Sequence, residues 1–284
     1  HPPASVLFDA HNHLQFAELS PFLDQITADL TAINCGGAVV NGTHPDDDWA
    51  AVTSLAARYD WIVPSYGIHP WDAGIRPPSW QETFAATLTA HPHAAVGEIG
   101  LDTLILEPTR GNSPDLQNVR VAPIEEQQEV CAWQLRWAAE NNRPASIHCV
   151  RAWGPLLEIL HHTPVPSAGF LLHAYSGSAE LIPQLADLGA YFSFNTAHID
   201  PRKTRQRAAF RIVPFDRLLV ETDAPAMSPQ SPSYKLGTSP AARTLNHPAN
   251  LVDAYVDLAR LRGIVFCELE TIVSTNFRRL FGIK

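Results

Sequence analysis

"HAAVGEIGLD", residues 93–102, is an almost unbroken apolar run that closes on two carboxylates, Glu98 and Asp102, set around a Gly-Ile-Gly-Leu stretch. Alternating apolar and polar residues would mark a strand with one wet face. Continuity of this kind marks a strand covered on both faces, as parallel strands tend to be. Such a strand should not place Glu98 between Val96 and Ile99 unless something there neutralises it.

Seven other runs have the same form: "SVLFDAH" from Ser5, "GAVVNG" from Gly37, "WIVPSYGIH" from Trp61, "PASIHC" from Pro144, "GFLLHAY" from Gly169, "AYFSFN" from Ala190 and "RLLVETD" from Arg217. Each is followed by a polar loop and usually by a helical pattern. From Glu126 a 3.6-residue period puts Val130, Trp133 and Trp137 on one stripe, with Cys131, Leu135 and Ala138 beside it, and the pattern stops at "NNRP" before Pro144. The last helix repeats Leu269, Ile272, Val273, Asn276, Phe277, Leu280 and Phe281, then meets Gly282. Strand and helix alternating eight times predict an α/β fold, a (β/α)8 TIM-like barrel in a single domain over residues 1–284. Two doubly wound halves are the competing arrangement, but no linker-like shift in composition divides the chain. Two stretches, 103–123 and 224–250, read as long irregular loops. Loops of that length form lids and substrate walls, or plain surface insertions.

Composition narrows the class. Of 284 residues, 45% are apolar and 9% aromatic, ample for a globular core. No run approaches the roughly 18 apolar residues of a membrane span, and no N-terminal stretch has the layout of a signal peptide. His1 is given no function. The four cysteines stand far apart without CxxC spacing, which argues against a disulfide framework and for a reducing, cytoplasmic setting. A net charge of −9 argues against a broad, non-specific grip on nucleic acid, which needs a basic face. It is compatible with a nuclease whose site is made locally positive by metal ions.

In such a barrel the chemistry sits at the carboxyl ends of the strands. The first run ends in "DAHNH", where His11 and His13, two apart, project to the same side of an extended segment. Glu98 ends the fourth run, His148 the fifth, His173 the sixth and Asp223 the eighth. An HxH pair alone is also an ordinary strand-end feature, a lone His148 or His173 an ordinary core histidine, and a lone Asp223 a turn cap. Six such residues at the same end of five strands are not independent accidents. Imidazole mixed with carboxylate suits zinc, manganese, iron or nickel, whereas magnesium prefers mainly oxygen donors.

"FDAHNH", "GIHP", "GEIGLD", "IHC", "LHAYSGS", "LLVETDAP" and "NFRRLFG" together resemble, in order and spacing, the TatD-type metal-dependent deoxyribonucleases of the amidohydrolase superfamily, from Phe8 to Gly282. The resemblance implies a TIM-like barrel and two divalent metal ions (zinc, magnesium or manganese). It implies that His11, His13 and Asp223 hold one ion, that His148 and His173 hold the other, and that Glu98 bridges them. Glu98 and Asp223 would be the catalytic carboxylates, with Asp223 orienting a water or taking its proton. Two cations roughly 3.5–4 Å apart can stabilise both oxygens of a phosphoryl displacement. His69 in "GIHPWD" is implied as a contact to substrate phosphate; a turn histidine packed on Trp71 is the plainer alternative. Asp102 is expected to support the loop or a histidine ligand from behind.

Three departures bear on the substrate. The family's IHxRDA reads "IHCVRAW", which shifts the arginine to Arg151. Its "RNEP" reads "LNHP", which puts His247 where glutamate is expected. The loop after GEIGLD is about ten residues longer than the family pattern suggests. Arg151 and His247 are therefore candidate substrate contacts, Arg151 with a surface ion pair as its alternative. Trp71 and Trp153 are candidates for base stacking or for loop packing, and the basic run "PRKTRQR" (201–207) for local attraction of a nucleic-acid backbone or for a solvated helix start.

The sequence thus predicts a metal-dependent hydrolase that cleaves phosphodiester bonds in DNA, as a 3'-5' exonuclease or with a preference for single strands. The alternative is an ester or amide hydrolase on the same barrel, such as an aminoacyl-tRNA deacylase. A non-catalytic scaffold would be expected to have lost ligands, and all six are present. DNA is the expected partner, no membrane is expected, and monomer and small homo-oligomer are equally compatible.

Overall fold

The run at 93–102 forms β4 (Ala95–Asp102), buried along its whole length. The structure, a computed structural model, describes residues 6–108, 116–117 and 119–284. His1 and part of the first long loop, residues 109–115 and 118, lie outside the described residues. Before β4 come β1 (Leu7–Asn12), α1 (Leu23–Ala32), β2 (Cys35–Asn41), α2 (Trp49–Arg58), β3 (Ile62–Tyr66) and α3 (Trp80–Ala90). After it come α4 (Ile124–Glu140), β5 (Ala145–Val150), α5 (Trp153–His162), β6 (Phe170–Leu172), α6 (Ile182–Asp187), β7 (Ala190–Asn195), α7 (Thr204–Ile212) and β8 (Leu218–Glu221). The chain ends in α8 (Pro240–Thr244), α9 (Leu251–Arg262) and α10 (Phe266–Phe281).

The strands lie in the order β1 to β8 in one sheet, and each hydrogen-bonded neighbour is parallel. This is the predicted (β/α)8 barrel. Sequential order follows from helical crossovers, which return each strand beside its predecessor. The seam between β8 and β1 is made differently. Asp9 Oδ1 accepts from the Thr222 and His11 amides (3.0 and 3.2 Å), and Oδ2 accepts from the Thr222 hydroxyl and Asn12 Nδ2 (2.6 and 3.1 Å). Above it, the Asp223 amide donates to the His11 carbonyl (2.9 Å) and the His13 amide to the Ala224 carbonyl (2.8 Å). One buried side chain and two backbone bonds therefore hold the first and last site residues together.

Helix α4 buries Val130, Cys131, Leu135 and Ala138 as its period predicts, and its Trp133 and Trp137 pack edge-on against Phe84. It also buries two glutamines that the apolar pattern does not select. Gln134 accepts from the Ile68 amide (2.8 Å) and donates to the Ile68 carbonyl (3.2 Å). Gln127 does the same for Asp102 (2.8 and 3.1 Å). Each is a side-chain amide that satisfies one residue's backbone where strand pairing stops, a buried need that must be met somewhere. In α10 Phe277 stacks on Phe8 at 4.5 Å, and Gly282 ends the helix in the left-handed region, φ 68°.

The stretch 224–250 differs from the expected irregular loop. It contains α8, capped by the Ser239 side chain, and a 3-10 turn at Pro248–Asn250 capped by His247. Pro240 and Pro248 stand in the first turn of these elements, where proline needs no amide partner. No helix among the described residues is long and apolar enough to cross a membrane.

Candidate metal centre and substrate cavity

The carboxyl ends of the strands open into a cavity of about 710 Å3 lined by His13, His69, Glu98, His148, His173 and Asp223, among others. His11 lies directly behind them and is fully buried. Two glycines let Glu98 and its neighbours close in. A Cβ on Gly97 would stand 2.8 Å from the Ser146 side chain, and one on Gly100, whose φ is +144°, would stand 1.9 Å from the His148 carbonyl.

The two oxygens of Glu98 divide the imidazoles. Oε2 faces His11 Nε2 at 3.2 Å and His13 Nε2 at 3.0 Å. Oε1 faces His173 Nε2 at 2.8 Å, His148 Nδ1 at 3.0 Å and His69 Nε2 at 3.2 Å. Asp223 Oδ1 joins the first group, 3.4 Å from His13 and 3.7 Å from His11. Asp223 itself has a left-handed φ of 54°, a conformation that persists only where its surroundings impose it.

What holds each ring from behind fixes what its front can do. His13 Nδ1 donates to the Asn41 carbonyl (2.7 Å), His148 Nε2 to Asp102 Oδ2 (2.9 Å) and His173 Nδ1 to Glu221 Oε1 (3.3 Å). Carbonyls and carboxylates only accept, so these nitrogens carry protons, and in the neutral rings the opposite nitrogens present lone pairs to Glu98. His11 Nδ1 pairs with the Ser146 hydroxyl at 2.9 Å. Glu221 is in turn held by the Ser193 hydroxyl and by Asn195 Nδ2. Lone pairs facing carboxylate oxygens at about 3 Å repel unless a proton or cation lies between them. Rear-anchored imidazoles around a shared carboxylate are the donor set of a divalent ion. His11, His13 and Glu98 form one such group, His11, His173 and Asp223 a second, and His69, Glu98 and His148 a third.

His69 is the exception. Its Nδ1 accepts from the Trp71 amide (3.1 Å), so in the neutral ring Nε2 bears the hydrogen. It faces Glu98 as a donor, not as a lone pair.

Burial opposes charge at every one of these groups, and neighbouring charges decide the outcome. Against its burial, the Glu98 carboxyl is held well below the usual range by His69, His173 and His11. Asp223 is likewise lowered by His13, His173 and His11, so both carboxyls are anions. Glu98 and Glu221 raise His173 well above its ordinary value, and Asp223 and Glu98 bring His13 up to about 10. Asp102 and Glu98 raise His148 to about 8. His11 moves the other way, depressed by its burial and by the charge on His173.

Asp102 holds both His148 and the start of the following loop. Oδ2 takes His148 and the Trp71 indole N–H (2.8 Å), while Oδ1 accepts from the Leu104 and Ile105 amides. Trp71 lines the cavity, whereas Trp153 packs on Tyr175 at 5.0 Å. Two candidate substrate contacts are not brought to the cavity. The Arg151 guanidinium is exposed and pairs with Glu107 at 2.6 Å. His247 is fully buried with both ring nitrogens used, accepting from the Ala249 amide and meeting Asp29 of α1 at 2.9 Å. This corrects its expected place on the substrate wall: it fastens 224–250 to α1. From the long loops, Leu116, Met227 and Leu245 do line the cavity. Sequence reasoning did not select Asn41, Ser146, Ser193 or Glu221. Their one visible signal was position, each lying in or next to the quoted strand runs.

Known proteins resemble this chain over almost its whole length. The family model described as TatD related DNase matches residues 8–282. The chain is 29% identical over 279 residues to the 3'-5' ssDNA/RNA exonuclease TatD of Klebsiella pneumoniae, covering 98% of each chain. It is 27% identical over 280 residues to the uncharacterized metal-dependent hydrolase YabD of Bacillus subtilis, covering 98% of this chain and 100% of that one. Among solved structures it is similar to YjjV, a TatD homolog of Escherichia coli, with a TM-score of 0.83, 25% identity and 98% of each chain covered.

Proposed function

The chain belongs to the TatD related DNase family, and on that premise we propose that it is a metal-dependent nuclease that removes nucleotides from the 3' end of single-stranded nucleic acid. One observation carries the reading: Glu98 turns one oxygen to His11 and His13 and the other to His148 and His173. His11, His13 and Asp223 would hold one divalent ion and His148 and His173 another, with Glu98 shared between them. When bound, the ions supply Lewis-acid polarisation of the phosphoryl oxygens and neutralise charge that develops on them.

The chain's own groups do the rest. Asp223, ionised and turned to the cavity, orients the attacking water and takes up its proton. His69 offers Nε2–H to a non-bridging phosphate oxygen, with its tautomer set by the Trp71 amide. Asn41, Asp102 and Glu221 keep the ligand nitrogens aimed, so that no reorganisation is needed during reaction. Phe16, stacked on His13 at 4.7 Å, and Trp71 give the cavity apolar surfaces for a base. A cavity of about 710 Å3 takes a nucleotide or two of a single strand rather than a duplex.

The test is a 5'-labelled single-stranded oligonucleotide incubated with the metal-loaded protein, with and without phosphorothioate linkages at its 3' end. A ladder shortening from the 3' end, halted by the block, is expected. Shortening from the 5' end contradicts the polarity. Inert oligonucleotides together with turnover of aminoacyl esters or lactones contradict the phosphodiester reading.

A further inference from the structure

The basic run "PRKTRQR" separates, in the structure, into two arginines that are spent, Arg202 and Arg207, and two exposed cations without an ion pair among the described residues, Lys203 and Arg205, of which Lys203 alone lines the cavity. Arg202 is engaged with Asp200, its Nε and Nη2 hydrogens meeting both carboxylate oxygens at 2.9–3.1 Å. Arg207 is paired with Asp257 and donates to the His198 carbonyl. Lys203 is exposed, lines the cavity, and has no carboxylate within ion-pair distance among the described residues. It is also the one lysine or arginine among the described residues that line the cavity, whose carboxylates are Glu18, Asp72, Glu98 and Asp223.

His198, five residues earlier, lines the same cavity although only 5% exposed. Its ring is wedged between Phe194 and Phe210, at 5.4 Å from each. Nδ1 accepts from the Asn195 amide (3.1 Å), closing a capping box on the 3-10 turn Thr196–Ile199. The hydrogen of the neutral ring is therefore on Nε2, and no acceptor meets it among the described residues. Its burial, with Lys203 and Arg207 nearby, takes the ring down to about 3. It stays a neutral donor wherever the enzyme works. Lys203 caps the nine-residue α7, and the first amides of that helix have no acceptor within it. Gln206 in its first turn lines the cavity as well. An unpaired ammonium, an unmet N–H and a helix N-terminus on one wall form a set of donors with no acceptor of their own, which is what an anion requires.

In the barrel order, β7 stands across the mouth from β3, whose following loop carries His69 and Trp71, with the metal-ligand cluster between them. A phosphate on the β7 side is therefore not the one that His69 faces. We propose that Lys203 and His198 form a second phosphate subsite, which holds the phosphodiester next to the one being cleaved and so makes the enzyme a reader of polynucleotide rather than of isolated phosphodiesters. The identity of this ligand rests on the nuclease reading given above.

The test is equilibrium binding of a fluorescein-labelled single-stranded hexanucleotide, with Ca2+ replacing the catalytic ion to arrest turnover, measured from low to moderate salt. Lys203→Met should weaken binding about fivefold to tenfold at low salt. It should also lower the slope of log affinity against log salt by about 0.7, the loss of one single-strand phosphate contact. Lys203→Arg should restore both. Arg211→Met, at the far end of α7, serves as the control for a general basic face. His198→Phe keeps the ring's packing and removes the donor. It should weaken binding about fivefold, as one lost hydrogen bond does, with an unchanged salt slope. If it fails to fold, Lys203→Met alone decides. Parent-like affinity and slope in Lys203→Met, or an equal loss in Arg211→Met, overturns the subsite. Binding that behaves as expected in a protein that cleaves no oligonucleotide would instead refute the nuclease reading and leave the anion subsite standing.

Discussion

His148 donates its Nε2 hydrogen to Asp102 Oδ2 across 2.9 Å, from β5 to the neighbouring β4. The bond commits Nδ1, not Nε2, to the site, unlike in the other three histidines of the predicted ligand set. The same oxygen takes the Trp71 indole, so one carboxylate aims His148 and holds a side chain of the cavity wall. Asp102→Asn removes the charge but nearly keeps the shape. Affinity for one of two divalent ions should fall about 10- to 100-fold, as for other residues that orient metal-binding histidines. Calorimetric metal titration checks this, and unchanged affinity for both ions would show that His148 does not ligate through Nδ1.

Gly100 is where β4 presses hardest on β5. With φ at +144° and a Cβ position 1.9 Å from the His148 carbonyl, alanine cannot fit without moving the strand that carries His148. Gly100→Ala should cost about 3 kcal/mol, combining disallowed backbone with a buried clash. Urea unfolding measures it, and a loss below about 0.5 kcal/mol, the range of ordinary surface changes, would contradict the packing described.

Glu126 begins α4 between Arg120 and Arg76, which hold its carboxyl down to about 2 from an ordinary 4.5. Because the folded value is the lower one, folding gains from this group above pH 4.5 and loses that gain as pH falls toward 2. Glu126→Gln should therefore unfold less steeply on acidification through that window and be slightly less stable above it. The difference should amount to a few degrees of melting temperature at most, since the arginines are solvated. Parallel melting curves for parent and variant from pH 5 to pH 2 would contradict it.

The barrel was legible because parallel strands covered on both faces must be apolar throughout, and the eight runs fall within two or three residues of β1 to β8 at nearly every end. The runs overshoot most at β3 and at β6, where the strand stops at Leu172 and His173 stands just beyond it. The ligand candidates were legible for a related reason: a titratable residue at the end of an apolar run needs an explanation. Residues that work from behind, such as Asn41, Ser146 and Glu221, carry no such anomaly, because a hydroxyl, an amide or an acid inside a strand run has many uses. Asp9 was hidden inside "FDAHNH", where the histidines drew the eye, although it stitches the barrel seam. His247 was misplaced because substitution of a motif position was read as a change of substrate wall, whereas burial made it a cap. The basic run could not be resolved at all in one dimension; which of its charges is spent depends on Asp200 and Asp257, brought in by folding.

The most direct test of the account is cleavage of a labelled single-stranded oligonucleotide followed as a divalent ion is titrated into metal-stripped protein, for the parent and for Glu98→Gln. Bridging by Glu98 predicts that activity in the parent saturates at two ions per chain and that Glu98→Gln is inactive at the same occupancy. Cleavage by Glu98→Gln at the parent's rate, or a parent that cleaves nothing with any divalent ion, would contradict it.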